Sequence, residues 1–302
     1  MGAEDWNGLL LLDKPSGPTS HDLIYAARRS TGQRRIGHSG TLDPLATGLL
    51  PLVLGRATRL VRFLPGSPKV YEGTLRLGLT TDTDDVTGES REASLPPLPS
   101  PESVCGAARR MEGRQLQRPP AYSARKVGGE RMYRLARKGI SADAAPREVI
   151  VDRFRLAPTE QDDTFAFEAV VSAGTYIRAL ARDLGEALGC GAVLATLRRT
   201  RIGPMSIEHA VRIEGDDSDV RRLSEALVPL SRMPLEPPPH RIEDEALCRR
   251  FTAGGAIPLS TGGLPDGRIC VFSPSGLLLG VGECRDGYLH PRVVVAPEGW
   301  TL

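Results

Sequence analysis

The sequence predicts an α+β fold followed by a small β-rich module, and three observations carry that prediction. Residues 69–80 alternate with period two, which puts Tyr71, Gly73, Leu75, Leu77 and Leu79 on one face and Glu72, Thr74 and Arg76 on the other. Helix starts stand at Thr19 or Ser20 and at Ser100-Pro101-Glu102, where a capping hydroxyl, a first-turn proline and an acid meet the needs of free backbone N–H groups. Beyond the proline-rich stretch PLEPPPH, glycine-spaced apolar segments over 268–272, 277–282 and 288–295 read as short strands. A chain of 302 residues can bury one large core and a second, small one.

Taken in order, residues 8–15 (GLLLLDKP) are an apolar run stopped by Asp-Lys-Pro, the pattern of a buried strand. A helix follows to about Ser30, with His21 and Asp22 in its first turn and Leu23, Ile24 and Ala27 toward the core. Residues 36–60 hold a single acid, Asp43, in a loop shaped by Gly37, Gly40, Pro44 and Gly48, and the apolar run 49–54 follows at once. A lone carboxylate on such a loop, fastened to a segment that must be buried, is how a scaffold presents a reactive group. A plain turn whose Asp caps a backbone amide has the same local pattern. Residues 55–64 read as a short helix stopped by Pro65-Gly66. Residues 81–90 (TDTDDVTGES) read as a solvated acidic turn, because the glutamate that closes an EF-hand is missing.

The helix from Ser100 runs to about Met111. Over 109–138, ten basic residues face only two acids, Glu112 and Glu130, with Tyr122 and Tyr133 interleaved. That mixture suits a nucleic-acid backbone and stacked bases. Its glycines and prolines predict an ordered but mobile loop rather than a core element. Residues 147–156 and 164–171 are strands joined by an acidic turn. Ser172-Ala173-Gly174-Thr175 caps a helix over 176–188 with Arg178 in its first turn. The helix dipole disfavours a cation there, and a carboxylate partner is the simplest reason for one. Residues 191–197 form a strand ending at Arg198-Arg199, and a helix over 218–227 leads to the proline-rich linker and a short helix around 243–251.

Composition narrows the class. Apolar residues make up 40% and charged residues 25%, as in ordinary soluble globular proteins. No apolar run reaches the roughly 18 residues of a membrane span, and residues 1–6 are no signal peptide, so a cytoplasmic protein is expected. Five cysteines and five histidines are scattered singly, which predicts neither a disulfide framework nor a metal site. Net charge is only +2, yet 35 of the 39 basic residues are arginines, whose planar fork suits phosphate. GC-rich codon usage produces the same excess, so the clustering carries more weight than the count.

Asp43, Tyr71, Arg178 and a basic arm between them are most simply explained by a nucleic-acid partner. A single carboxylate can serve as nucleophile, general base or metal ligand. A metal would want further carboxylates beside it, and the neighbouring sequence offers none.

GHSGTLDPLATGLLPLVLGRATR, with LLLLDKP before it and YEGTLRLGLTTDTDD and SAGTYIRALARDLG after it, closely resembles the bacterial tRNA pseudouridine synthase B family, the synthases of uridine 55. The resemblance covers residues 8–201 and rests on four blocks in the same order. It implies a catalytic domain over 1–235 with a large, mixed, mostly antiparallel sheet flanked by helices. It also implies an RNA-gripping insertion at about 114–140 and a PUA-like RNA-binding domain over 240–302. The implied reaction flips a T-loop uridine out of tRNA, breaks its glycosidic bond and rejoins base to ribose through C5, with no cofactor and no metal.

The resemblance places the catalytic aspartate at Asp43, pairs Arg178 with it and packs Tyr71 on the target base. It implies that His38 helps hold the opened loop and that Tyr176 and Leu197 line the uracil pocket. For Lys14, in the LDKP block, structural support and a direct catalytic role both stay open, with support expected. Arg125, Lys126, Arg131 and Arg134 are the arm residues expected to touch RNA. The expected partner is the T arm of tRNA, and the insertion favours a stand-alone monomer over relatives that need guide RNAs and partner proteins. Two routes for Asp43 stay open: nucleophilic attack on ribose or base, and proton abstraction through a glycal-type intermediate. The competing reading is a non-catalytic tRNA-binding or tRNA-folding protein using the same basic cleft. A metal-dependent nuclease built on Asp43 and the acidic loop is a weaker third.

Overall fold

Apolar runs with no polar face, residues 8–12 and 49–54, must be buried on both sides, and they pair with each other. In the computed structural model, which describes residues 6–90, 97–123, 125–137, 140, 144–216, 218–259 and 265–297, these runs are β1 (Gly8–Lys14) and, after β2 (Ile36–His38), β3 (Thr47–Leu54). β1 and β3 are antiparallel, with Leu10 opposite Leu52 and Lys14 opposite Gly48. The main sheet adds β4 (Lys69–Leu77), β5 (Gly113–Gln117), β8 (Arg147–Pro158), β9 (Thr164–Val171) and β10 (Ala192–Ile202). Short β11 (Met205–Ser206) and β12 (Val228–Pro229) complete it, in the order β12-β1-β3-β10-β4-β9-β8-β5, with β2 and β11 on β3 and β10. β3 runs parallel to β10, while the other pairings of this sheet are antiparallel.

The period-two alternation decides what covers each face. Leu10, Leu12, Leu50, Leu52, Leu54, Leu75 and Phe154 face a core shared with α1 (Ser20–Thr31), α2 (Pro101–Arg110), α4 (Ile177–Leu188) and α5 (Asp219–Ala226). Leu23, Ile24 and Ala27 are the buried face of α1, whose Thr19 and Asp22 form a reciprocal capping box. The opposite set, Leu9, Leu11, Leu49 and Val53, packs with Leu60 and Phe63 of a 3₁₀ helix (Gly55–Phe63) and with Cys270, Leu278, Val281 and Val293. Those last four belong to a second sheet, in the order β13 (Pro239–Arg241), β15 (Gly267–Phe272), β16 (Leu278–Arg285), β17 (Tyr288–Val294), β14 (Ile257–Pro258), packed on α6 (Glu245–Thr252). The C-terminal sheet is therefore docked by a shared apolar core. Arg56 Nη1 and Arg59 Nη1 add hydrogen bonds to the carbonyls of Val295 and Val294 at 3.1 and 2.5 Å.

Three sequence expectations are corrected. Residues 114–117, the start of the stretch assigned to the RNA-gripping insertion, belong instead to β5 at the edge of the main sheet, paired antiparallel with β8; apolar patterning gave no sign of it, since Leu116 is exposed and Gln117 is the buried side chain. What remains of that segment includes a two-stranded ribbon, β6 (Lys126–Val127) with β7 (Glu130–Arg131), and α3 (Met132–Arg137). β10 does not stop at Leu197 but runs on to Ile202, carrying three arginines, Arg198, Arg199 and Arg201, into the sheet. The helix over 177–188 has Tyr176 as its N-cap residue, with no side-chain cap.

Gly48 shows how tightly the parallel pair is built. Its φ is +98°, and a Cβ there would run into the backbone of Arg199, its register partner. Gly48→Ala is expected to cost about 1–3 kcal/mol from the left-handed backbone alone, before the collision is counted. The measurement is a lowered denaturant midpoint; an unchanged midpoint would refute this packing. Among the described residues no helix is long and apolar enough to cross a membrane. The cysteines are free thiols, Cys190, Cys248, Cys270 and Cys284 of them buried.

Candidate active site

The loop carrying Asp43 lies between β2 and β3, and three side chains from elsewhere clamp its backbone. Ser20 Oγ donates to the Leu42 carbonyl at 3.1 Å and accepts from the Leu42 N–H at 2.9 Å. Lys14, with no exposed surface, donates from Nζ to the carbonyls of Pro15, Pro44 and Ala46 at 3.0, 3.1 and 2.6 Å. Arg199, equally buried, donates from Nη2 to Gly40 at 2.8 Å and from Nε to Leu49 at 2.9 Å. Buried carbonyls must find donors, and here cations supply them without any nearby carboxylate bonded in return. Burial pulls the Lys14 ammonium down to about 8, against the opposing pull of Asp43 and Asp22.

With the loop fixed, the Asp43 side chain stays 41% exposed and faces Arg178, whose Nε lies 2.9 Å from Asp43 Oδ2. Arg178 is itself buried at 6% exposure. Its remaining nitrogens are also committed: Nη1 donates to the Thr83 carbonyl and Nη2 to the Tyr122 carbonyl, each at 2.8 Å. Asp85 Oδ2 stands 3.6 Å from Nη1. One guanidinium thus joins the Asp43 loop, the acidic segment and the basic arm, a use of all three nitrogens that lysine cannot copy.

The acidic segment is not the solvated turn its composition suggests. Asp85 is 4% exposed, and its Oδ1 accepts from Thr83 Oγ1, the Thr87 N–H and Thr87 Oγ1. Thr81 and Thr83 hydroxyls bond the Asp85 carbonyl, and Val86 and Leu194 tie the segment to β10. Charge alone could not reveal this, because the threonines that satisfy Asp85 look like ordinary turn residues.

A cleft of about 210 Å³ opens beside the Asp43–Arg178 pair, and Lys69, Tyr71, Tyr176 and Leu197 also line it. Tyr71 and Leu197 are 6% and 8% exposed, so each presents one face to the cleft and buries the rest. Tyr176 is held by its backbone. Its N–H donates to Gln117 Oε1 at 2.8 Å, and Gln117 Nε2 donates to its carbonyl at 3.1 Å. Sequence reading missed Gln117, Ser20, Arg199 and Lys69. Strand alternation does put Arg199 on the face of Leu197 and Lys69 on the face of Tyr71, the one signal that could have marked them.

The other expected residues are placed differently. His38, on β2, does not line this cleft; its Nδ1 is buried without a hydrogen-bond partner among the described residues. Burial lowers its basicity, helped by the charges of His21 and Arg199. Arg125 lines a more open groove of about 490 Å³ with Arg147, Glu148 and Tyr176. Arg134 is exposed on α3. The side chains of Lys126 and Arg131 lie outside the described residues, whereas their backbones form the β6–β7 ribbon. Among the described residues no three His, Cys, Asp or Glu side chains come together as a metal site.

Comparison with known proteins gives this geometry a family. Residues 28–177 match the N-terminal domain of TruB family pseudouridylate synthases, residues 178–230 the C-terminal domain of tRNA pseudouridylate synthase B, and residues 238–295 the C-terminal region of pseudouridine synthase II TruB. The tRNA pseudouridine synthase B of Thermobifida fusca (strain YX) is 40% identical over 96% of this chain and 99% of its own. That of Arthrobacter sp. (strain FB24) is 38% identical, with 97% of each chain covered. Among solved structures, an H/ACA ribonucleoprotein bound to a substrate RNA containing 2′-deoxyuridine matches with a TM-score of 0.70 at 24% identity, over 97% of this chain and 86% of that one. A Cbf5–Nop10–Gar1 complex matches equally well, over 98% and 87%. These structural likenesses speak to the fold.

Proposed function

Since the chain belongs to the TruB family of pseudouridylate synthases, isomerases that convert uridine in tRNA to pseudouridine, we propose that its target is the T-loop uridine at position 55 and that Asp43 is its catalytic group. One observation supports this above the others: Asp43 and Arg178 stand 2.9 Å apart at a cleft that Tyr71 also lines. A uridine inside a folded loop has to leave its stack, at a cost of a few kcal/mol. Stacking on an aromatic face such as Tyr71 recovers about 1–3 kcal/mol of that. Tyr176 and Leu197 then bound the base, while Asp43 works at its ribose or ring with its orientation held by Arg178 and by the clamps of Lys14, Ser20 and Arg199.

The reaction breaks the N1–C1′ bond and forms a C5–C1′ bond. C5 gives up its hydrogen and N1 takes one, so no oxidant or reductant is consumed. Tight backbone anchoring of the loop serves this chemistry, because a small displacement of the carboxylate would misplace it against a base that turns within the cleft. In this reading residues 1–235 are the catalytic domain, the arm around 118–140 with Arg125, Lys126, Arg131 and Arg134 grips the T arm, and the PUA-like sheet over 240–302 adds RNA contact. His38 holds the opened loop from outside the cleft. The enzyme works as a cytoplasmic monomer without a protein partner.

The test is incubation with an unmodified tRNA transcript, followed by mapping of pseudouridine along the chain. Product at the T-loop uridine is expected. A wild-type protein that modifies only another uridine would refute the position, and one that modifies none would refute the reading.

A further inference from the structure

Lys69 is a cation in the cleft that the reaction described above does not use. It lies on β4 two residues before Tyr71, so the two side chains share a face and stand about 7 Å apart along the strand. Both line the cleft with Asp43. Among the described residues the Lys69 ammonium has no hydrogen-bond or ion-pair partner, and the same holds for the Arg147 guanidinium. Arg147 lies against Gly174, whose missing Cβ leaves room for it: a Cβ there would collide with the guanidinium. The open groove beyond is lined by Arg147 and Arg125, and Tyr176 belongs to both groove and cleft. The carboxylate in that groove, Glu148, is taken by Arg114 at 2.8 Å.

We infer that Lys69, with Arg147 beside it, binds a phosphodiester flanking the flipped uridine, at the point where the RNA backbone passes from the cleft into the open groove. The inference rests on the reading of the cleft as a uridine site. Half-buried cations without counter-ions repel one another and pay desolvation, which an arriving anion relieves. Burial and the charges of Arg199 and Arg147 draw the Lys69 ammonium down to about 8, the direction expected of a site short of negative charge. A base that turns out of its loop draws its own phosphates to the mouth of the pocket. A phosphodiester remains anionic throughout the working pH range, and Arg147 offers it a planar fork behind the point charge of Lys69. Arg125 continues the same positive line along the groove.

A T-arm stem–loop tests this when each phosphate flanking the target uridine is replaced, one at a time, by an uncharged methylphosphonate. With unmodified RNA, Lys69→Ala is expected to raise KM about tenfold with kcat little changed. Its binding should also lose about 0.7 from the slope of log affinity against log salt. Lys69→Arg should keep most of the wild-type KM. One neutral linkage should cost the wild type about as much as Lys69→Ala does, and cost Lys69→Ala little more. If neither neutral linkage raises the wild-type KM, the inference is overturned whatever the variants do. Losses that simply add, or a fall in kcat with an unchanged salt slope, overturn it as well. Wild-type protein that leaves the uridine of the unmodified stem–loop untouched would instead refute the underlying reading of the site, and that control is read first.

Discussion

Asp43→Asn is expected to lower pseudouridine formation by at least about 10³-fold while the protein stays folded and binds tRNA nearly as well as before. The substitution is nearly isosteric. The amide oxygen can still accept from Arg178 Nε, which now lies 2.9 Å from the carboxylate, so the loop keeps its orientation. The loop backbone is held by Ser20, Lys14 and Arg199, none of which bonds the Asp43 side chain. Only the negative charge and the capacity to take a proton or attack are removed. Release of hydrogen from C5 of uridine in labelled tRNA measures turnover, and equilibrium binding measures the rest. This pair of measurements also separates the enzyme from a tRNA-binding or folding protein that uses the same cleft. Full turnover in Asp43→Asn would sink the assignment of this residue.

Arg178→Ala is expected to do two kinds of damage at once. The side chain is 7% exposed and serves Asp43, Asp85, the Thr83 carbonyl and the Tyr122 carbonyl together. Its removal leaves the Asp85 carboxylate, 6% exposed, without its cation, and breaking a buried pair in this way costs about 3–5 kcal/mol. Thermal unfolding should fall by several degrees, and activity should be lost with it. Pairing Arg178→Ala with Asp85→Asn separates the two effects. Neutralising the orphaned carboxylate should restore part of the stability and none of the activity, because Asp43 still lacks its partner. Recovery of activity in the double variant would show that Arg178 serves folding alone. Arg178→Lys should also fall short, since one ammonium cannot reach positions that three guanidinium nitrogens now satisfy.

The limits of sequence reading show in particular residues. Asp43 was legible because a single acid stood in a glycine- and proline-shaped loop against an apolar run. Tyr71 was legible because alternation assigned it to the apolar face of its strand, and Arg178 because a cation in a first helical turn needs a reason. Arg199 was not. It stood in an arginine-rich string, Arg198-Arg199-Thr200-Arg201, and only alternation hinted that one member turned inward. The neighbouring Arg198, half-buried, instead pairs with Asp13 of β1 at 2.9 Å. Asp85 and β5 were misjudged for the same reason: polar composition describes a segment's own residues and not the carbonyls or strands that will meet them.

The sequence by itself determined most of the longer elements and their buried faces, the helix caps at Thr19 and Ser100, and the loop that presents Asp43, since periodicity and backbone chemistry act between near neighbours. It also carried the family motifs in order. Tertiary structure alone decided which cations became structural and which stayed free. Arg199 reaches Leu49, and Lys14 reaches Ala46, across 150 and 32 positions of chain, and both are buried where they donate to those carbonyls. Lys69, in the cleft, and Arg147, in the open groove beside it, meet no such carbonyl among the described residues. What distinguishes a clamp from a binding site is the set of acceptors that folding brings within reach, and no local pattern encodes that set.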